Sequence, residues 1–130
     1  MNDWRAILAV ALGAAIGGVA RYIVGQIFLQ RFGPGFPYGT LFINVTGSFA
    51  IGIVAQLALS QAAGMSPTMR LFAATGVLGG YTTFSTFSLE AITLIGEGGT
   101  IAALMYAGAS IALGFGGAAL GVFLTRLVTR

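Results

Sequence analysis

Between Gly76 and Glu90 the chain reads Gly-Val-Leu-Gly-Gly-Tyr-Thr-Thr-Phe-Ser-Thr-Phe-Ser-Leu-Glu. Five hydroxyl residues (Thr82, Thr83, Ser85, Thr86, Ser88), the rings of Phe84 and Phe87 and the carboxylate of Glu90 follow the double glycine Gly79-Gly80. Hydroxyls and amide N–H groups can replace the water around an anion, and the edge of an aromatic ring is electropositive. Carbonyls freed by a broken helix do the opposite, offering oxygen ligands to a cation. The stretch therefore holds parts for a small ion of either sign. Wound as a helix at about 100° per residue, Phe84 and Phe87 fall about 60° apart, and Thr82, Ser85 and Thr86 gather on the other side. A Ser or Thr bonding back to the preceding turn's carbonyl explains any one hydroxyl. It does not by itself explain a run of them beside a double glycine and ahead of Glu90.

Other polar residues lie in apolar surroundings. Asn44 can donate to an anion through its amide or bond to a neighbouring helix. Arg21 is a charge within an apolar run, where charge is expensive and functional by default; it reads as an anion-attracting vestibule residue, or as a partner of a carbonyl or of Glu90. Glu90 itself reads as a structural pair or a gating contact. Tyr106 and Ser110, four apart, share a helix face and can extend a polar path. Glu97, near a turn, reads as solvated.

These groups must be held by a membrane protein. Of 130 residues 57% are hydrophobic and 7% charged, against roughly 45–50% and about 25% in soluble domains. The net charge of +3 comes from scattered arginines, with no basic tract to hold nucleic acid. The sequence has no Cys and no His, which excludes thiolate and imidazole metal sites, disulfides and Ser-His or Cys-His nucleophiles. The reading is of a protein that is not an enzyme.

About 20 apolar residues cross a bilayer, and the sequence divides into spans of about 4–29, 39–59, 68–95 and 101–127. The first reads as a retained span and not a leader, because Asp3 accompanies Arg5 and apolar sequence resumes at Tyr22. Arg31, Gly33, Pro34, Gly35 and Pro37 mark a loop across Gln30 to Tyr38, Ser60 to Pro67 a short polar connection and Gly96 to Thr100 a turn. The expectation is one domain, 1–130, of four antiparallel neighbouring helices. The third span would run to about 42 Å if wholly helical, longer than a core of about 30 Å. A break near Gly79-Gly80 resolves this, provided that protein or a water-filled cavity covers it. Gly13-x-x-x-Gly17, Gly76-x-x-x-Gly80 and Gly117-x-x-x-Gly121 favour close helix packing. So small a bundle encloses little alone and calls for a second copy. Arg5, Arg70, Arg126 and Arg130 lie on the side of the termini against Arg31 on the other, a bias that puts the termini in the cytoplasm.

In these motifs the sequence resembles the Fluc/CrcB family of fluoride channels: Gly17-Gly18 with Arg21-Tyr22, Pro37-Tyr38-Gly39-Thr40-Leu41 with Asn44 and Gly47, Gly79 to Glu90, and Tyr106 to Ser110. The motifs cover the chain end to end, and the third is the most specific. The resemblance implies an all-α homodimer of four-helix subunits inserted antiparallel (dual topology) in the cell membrane, the third helix broken mid-membrane, with two fluoride pores at the interface. It implies a structural, non-transported Na+ held by backbone carbonyls of Gly79 and Thr82. It matches Phe84 and Phe87 to pore-lining aromatics, Asn44, Ser85, Thr86, Ser88, Tyr106 and Ser110 to the fluoride path, and Arg21 to a vestibule. Gly114 stands where the family often has a hydroxyl one turn beyond Ser110. The implied function is passive export of toxic cytoplasmic fluoride. The alternative, a small dual-topology proton-coupled multidrug transporter, needs a membrane-embedded carboxylate, usually in the first helix, and the first span has none.

Overall fold

The computed structural model describes residues 3–60 and 64–129, so Arg130 and part of the polar connection after Ser60 lie outside it. Helix α1 (Trp4–Phe32) begins where the Asp3 side chain accepts from the Arg5 N–H, filling one of the donors that a helix start leaves open. It continues past Leu29 because its stop is Gly33, whose φ of 74° ends the helix in the left-handed region. The loop predicted from Gln30 shrinks to residues 33–37, and α2 (Tyr38–Leu59) follows.

The expected third span is composite. Ser66 caps α3 (Pro67–Arg70) by accepting from the Met69 N–H, and α3 runs on into a π-helical stretch, Leu71–Leu78, and the short α4 (Gly79–Tyr81). Thr82 and Thr83 are extended, after which α5 (Phe84–Gly96) turns through Gly98 into α6 (Thr100–Val128). The break therefore falls just after the double glycine, which stays helical. Gly80 is needed elsewhere: a β-carbon on it would stand 2.5 Å from the Ala14 carbonyl oxygen of α1.

All three predicted small-residue motifs are helix contacts. Gly13 meets Phe72 and Gly76, and Gly17 meets Val77 and Tyr81, so α1 runs parallel to the composite segment with backbone against backbone. Gly117 meets Val45 and Phe49, and Gly121 meets Phe49 and Ile53, setting α6 parallel to α2. The starts of α1 and α3 and the ends of α2 and α6 thus share one end of the bundle. Few large side chains fill the interior; Ile43, Leu94, Ala103 and Tyr106 are the buried apolar ones among the described residues, and most others point outward. Such an inversion suits lipid as solvent. Helices α1, α2 and α6 are each long and apolar enough to cross a membrane.

Candidate functional site

The helix break is fixed by one side chain. Thr82 still gives its N–H to the Leu78 carbonyl at 3.0 Å, but the Thr83 N–H turns to Asn44 Oδ1 at 2.8 Å. Asn44 Nδ2 donates back to the Thr83 carbonyl at 2.9 Å, so the α2 amide replaces both helical partners of one residue. The Gly79 carbonyl, whose helical partner would be the Thr83 N–H, is left without it. Gly47, one turn beyond Asn44, gives the room in which the Thr82 methyl seats.

Thr83 also starts the next helix. Its buried hydroxyl accepts from the Thr86 N–H at 3.2 Å, donates to Thr86 Oγ1 at 3.0 Å and lies 3.3 Å from Ser85 Oγ. The sequence reading grouped Thr82, Ser85 and Thr86 on one helix face, but the break separates Thr82 from the other two. Thr82 and Ser88 bond back to the Leu78 and Phe84 carbonyls, both at 2.9 Å, so for these two the plain structural account holds.

The rings of Phe84 and Phe87 lie 5.6 Å apart, Phe84 being 79% exposed and Phe87 half-buried. Phe87 lies 5.0 Å from Tyr106, which is wholly buried and donates to Glu90 Oε2 at 2.7 Å. Thr40 donates to Glu90 Oε1 at 2.9 Å. Glu90 is therefore held by two hydroxyls, and the pairing with Arg21 considered from sequence is not formed. Arg21 stands partly buried on α1, outside both cavities described next.

A cavity of about 410 Å³ opens at the break, with Asn44, Ser48, Gly79, Thr82, Thr83, Phe84, Phe87 and Ser110 on its walls. Ser110 Oγ is buried there with no hydrogen-bond partner. A second cavity of about 480 Å³ lies beyond Glu90, between the end of α1, the 33–37 loop and α5, and Glu97 lines it with Phe36, Tyr38 and Thr93. The Phe36 ring meets Tyr106 edge-on at 5.5 Å. Between the cavities stand Phe87, Tyr106, Glu90 and Thr40.

The structure thus gathers Asn44, Gly79, Thr82, Phe84, Phe87 and Ser110 around one cavity and joins Tyr106 and Glu90 behind it. Ser85 and Thr86 sit at its edge through Thr83, Ser88 faces its own helix, and Arg21 stands apart. Sequence reasoning missed Thr40, and Thr83 as the cap, while Glu97, read as solvated, is exposed where it borders the second cavity. The Pro37–Leu41 motif carried a signal for Thr40, but nothing local pairs it with a carboxylate 50 positions on.

Fold and site together define a small polytopic helical membrane protein whose polar groups converge on a helix break and on ring edges, with donors suited to an unmodified ion. The chain belongs to the CrcB family: the model described as "CrcB-like protein, Camphor Resistance (CrcB)" matches residues 8–122. A protein named "Fluoride-specific ion channel FluC" from Rhizobium meliloti (strain 1021) is 57% identical over 107 residues, 82% of this chain and 85% of that relative. Proteins of the same name from Trichormus variabilis and Nitrobacter winogradskyi are each 48% identical, the first over 92% of this chain and 88% of its own length, the second over 96% and 98%. These names are those of channels and not of enzymes.

Proposed function

We propose that the chain is a fluoride channel that lets fluoride leave the cytoplasm passively across the cell membrane. The observation that carries this is the convergence of Phe84 and Phe87 with the unpaired Ser110 hydroxyl at a cavity on the helix break, with Tyr106 packed against Phe87 behind it. Ring edges and O–H groups meet a dehydrated anion without a fixed positive charge that would hold it too tightly to leave. HF enters a cell by diffusion and ionises inside, so a passive path for the ion suffices. Arg21 serves as a vestibule charge on this reading.

In this reading residues 67–96 add a crossing to those of α1, α2 and α6, the third of four in chain order and broken at Thr82 and Thr83, and two copies pair antiparallel so that two pores run along their contact. Support comes from the surface: the single chain exposes 8234 Å², about a quarter more than the roughly 6,500 Å² of a compact soluble chain of its mass. Beside the cavities Phe84, Ile111 and Phe115 are exposed apolar side chains. An Na+ would be held by the carbonyls of Gly79 and Thr82, joined by those of the second copy. The fit rests on the Gly79 carbonyl, which has lost its helical donor to Asn44, and on the all-oxygen donor set that such an ion takes. When bound, the ion would supply positive charge that ties the two copies' breaks together.

Fluoride efflux from liposomes, followed with a fluoride electrode and with chloride as comparison, tests the assignment. Selective fluoride flux is expected; its absence from well-folded dimer overturns it. Replacing Na+ by a large organic cation should slow flux if the ion is structural.

A further inference from the structure

We propose that Ser48 of α2 and Ser110 of α6 together form a binding site for a small, strongly hydrated anion such as fluoride, with Ser48 continuing the polar path that α6 interrupts at Gly114. The proposal rests on the conduction reading above and adds to it a residue and a site.

Hydroxyls in helices have a default use, and this chain shows it repeatedly. Thr46, Thr82, Ser88, Thr125 and Thr129 all donate to the carbonyl four residues earlier, at 2.7 to 2.9 Å. Ser48 and Ser110 depart from it. Ser110 Oγ is buried without a partner, and Ser48 Oγ makes no hydrogen bond among the described residues. An unpaired buried hydroxyl is unfavourable unless something occupies it.

The two serines share a space. Both line a cavity of about 280 Å³ with Ile111, Gly114, Phe115 and Ala118, and both also line the larger cavity at the helix break. Gly114 faces the same space, since a β-carbon there would stand 3.6 Å from Ser48 Oγ, an ordinary contact distance. On α6 the polar face of Tyr106 and Ser110 ends at Gly114, one turn on. Ser48 puts a hydroxyl beside that gap from the neighbouring helix. Among the described residues no carboxylate and no basic side chain lines the smaller cavity. Two O–H donors against apolar walls suit an anion that must shed water, stay briefly and move on.

The test compares fluoride efflux from liposomes holding the wild-type chain, Ser48→Ala, Ser110→Ala and the double variant Ser48→Ala/Gly114→Ser, each first verified as wild-type-like by size-exclusion chromatography. Ser48→Ala is expected to slow efflux roughly tenfold, as for loss of a hydrogen bond to an anion. Ser110→Ala should do the same, and Gly114→Ser should restore most of the flux to Ser48→Ala by returning a hydroxyl to the same space. Wild-type flux in Ser48→Ala overturns the site while leaving the channel reading intact. A loss that Gly114→Ser does not repair gives Ser48 a packing role and overturns the site as well. Silence of the wild-type protein overturns the conduction reading, and is seen before any variant is compared.

Discussion

Asn44 and the two phenylalanines act through different physics, and substitution separates them. Asn44→Ala removes both partners of the Thr83 backbone. Leaving a buried N–H or carbonyl unpaired costs about 1–3 kcal/mol, so the variant should melt earlier in detergent and lose flux with it. An unchanged melting temperature would show that the break holds without its brace. Phe84→Ile and Phe87→Ile keep apolar bulk and remove only the ring edge; flux should largely stop while the dimer elutes unchanged, and normal flux in both would refute the ring-edge argument. Residue types were legible in sequence, partners less so. Asn44 reads equally as an anion donor or a helix bond until Thr83 is seen beside it, and the hydroxyl run divides into capping, self-bonded and unpaired members only once the break is in place. Glu97 was read as solvated from the turn beside it, and it is indeed exposed where it borders the second cavity.

The elements follow from where backbones touch. Gly13, Gly17, Gly76 and Gly80 let α1 and the composite segment meet without side chains between them, which anchors the segment up to Tyr81 and leaves Thr83 to turn to Asn44. Gly80→Val would drive a side chain into the Ala14 backbone. Overpacking of this kind costs typically about 1–3 kcal/mol, and here it should also push the break away from α2. Circular dichroism should retain its helix signal while fluoride flux falls; full flux in a stable Gly80→Val protein would mean that this contact does not position the break. The glycine motifs announced close packing, and the excess length of the third span announced an interruption. The site of the break was displaced because glycine was read for its flexibility when its smallness was in use. The π-helical stretch had no sequence signal, since a wider turn depends on what the helix lies against.

For the whole molecule, orientation is the open variable. Arg5, Arg70 and Arg126 lie toward the end shared by the starts of α1 and α3 and the ends of α2 and α6, while Arg31 lies toward the other. That bias favours one orientation, whereas the proposed pairing needs both. Single cysteines placed near Trp4 and near Val128, labelled by an impermeant thiol reagent before and after permeabilising the cells, should be reached in part from each face if identical copies pair antiparallel. Labelling from one face only would require an oppositely inserted partner of different sequence. Because the described chain starts and finishes at the same end of the bundle, two antiparallel copies have their joinable ends on opposite sides of the membrane. A short flexible linker between tandem copies should therefore force a parallel, non-conducting pair, and a functional fusion would need a linker of about 20 apolar residues that itself crosses the bilayer.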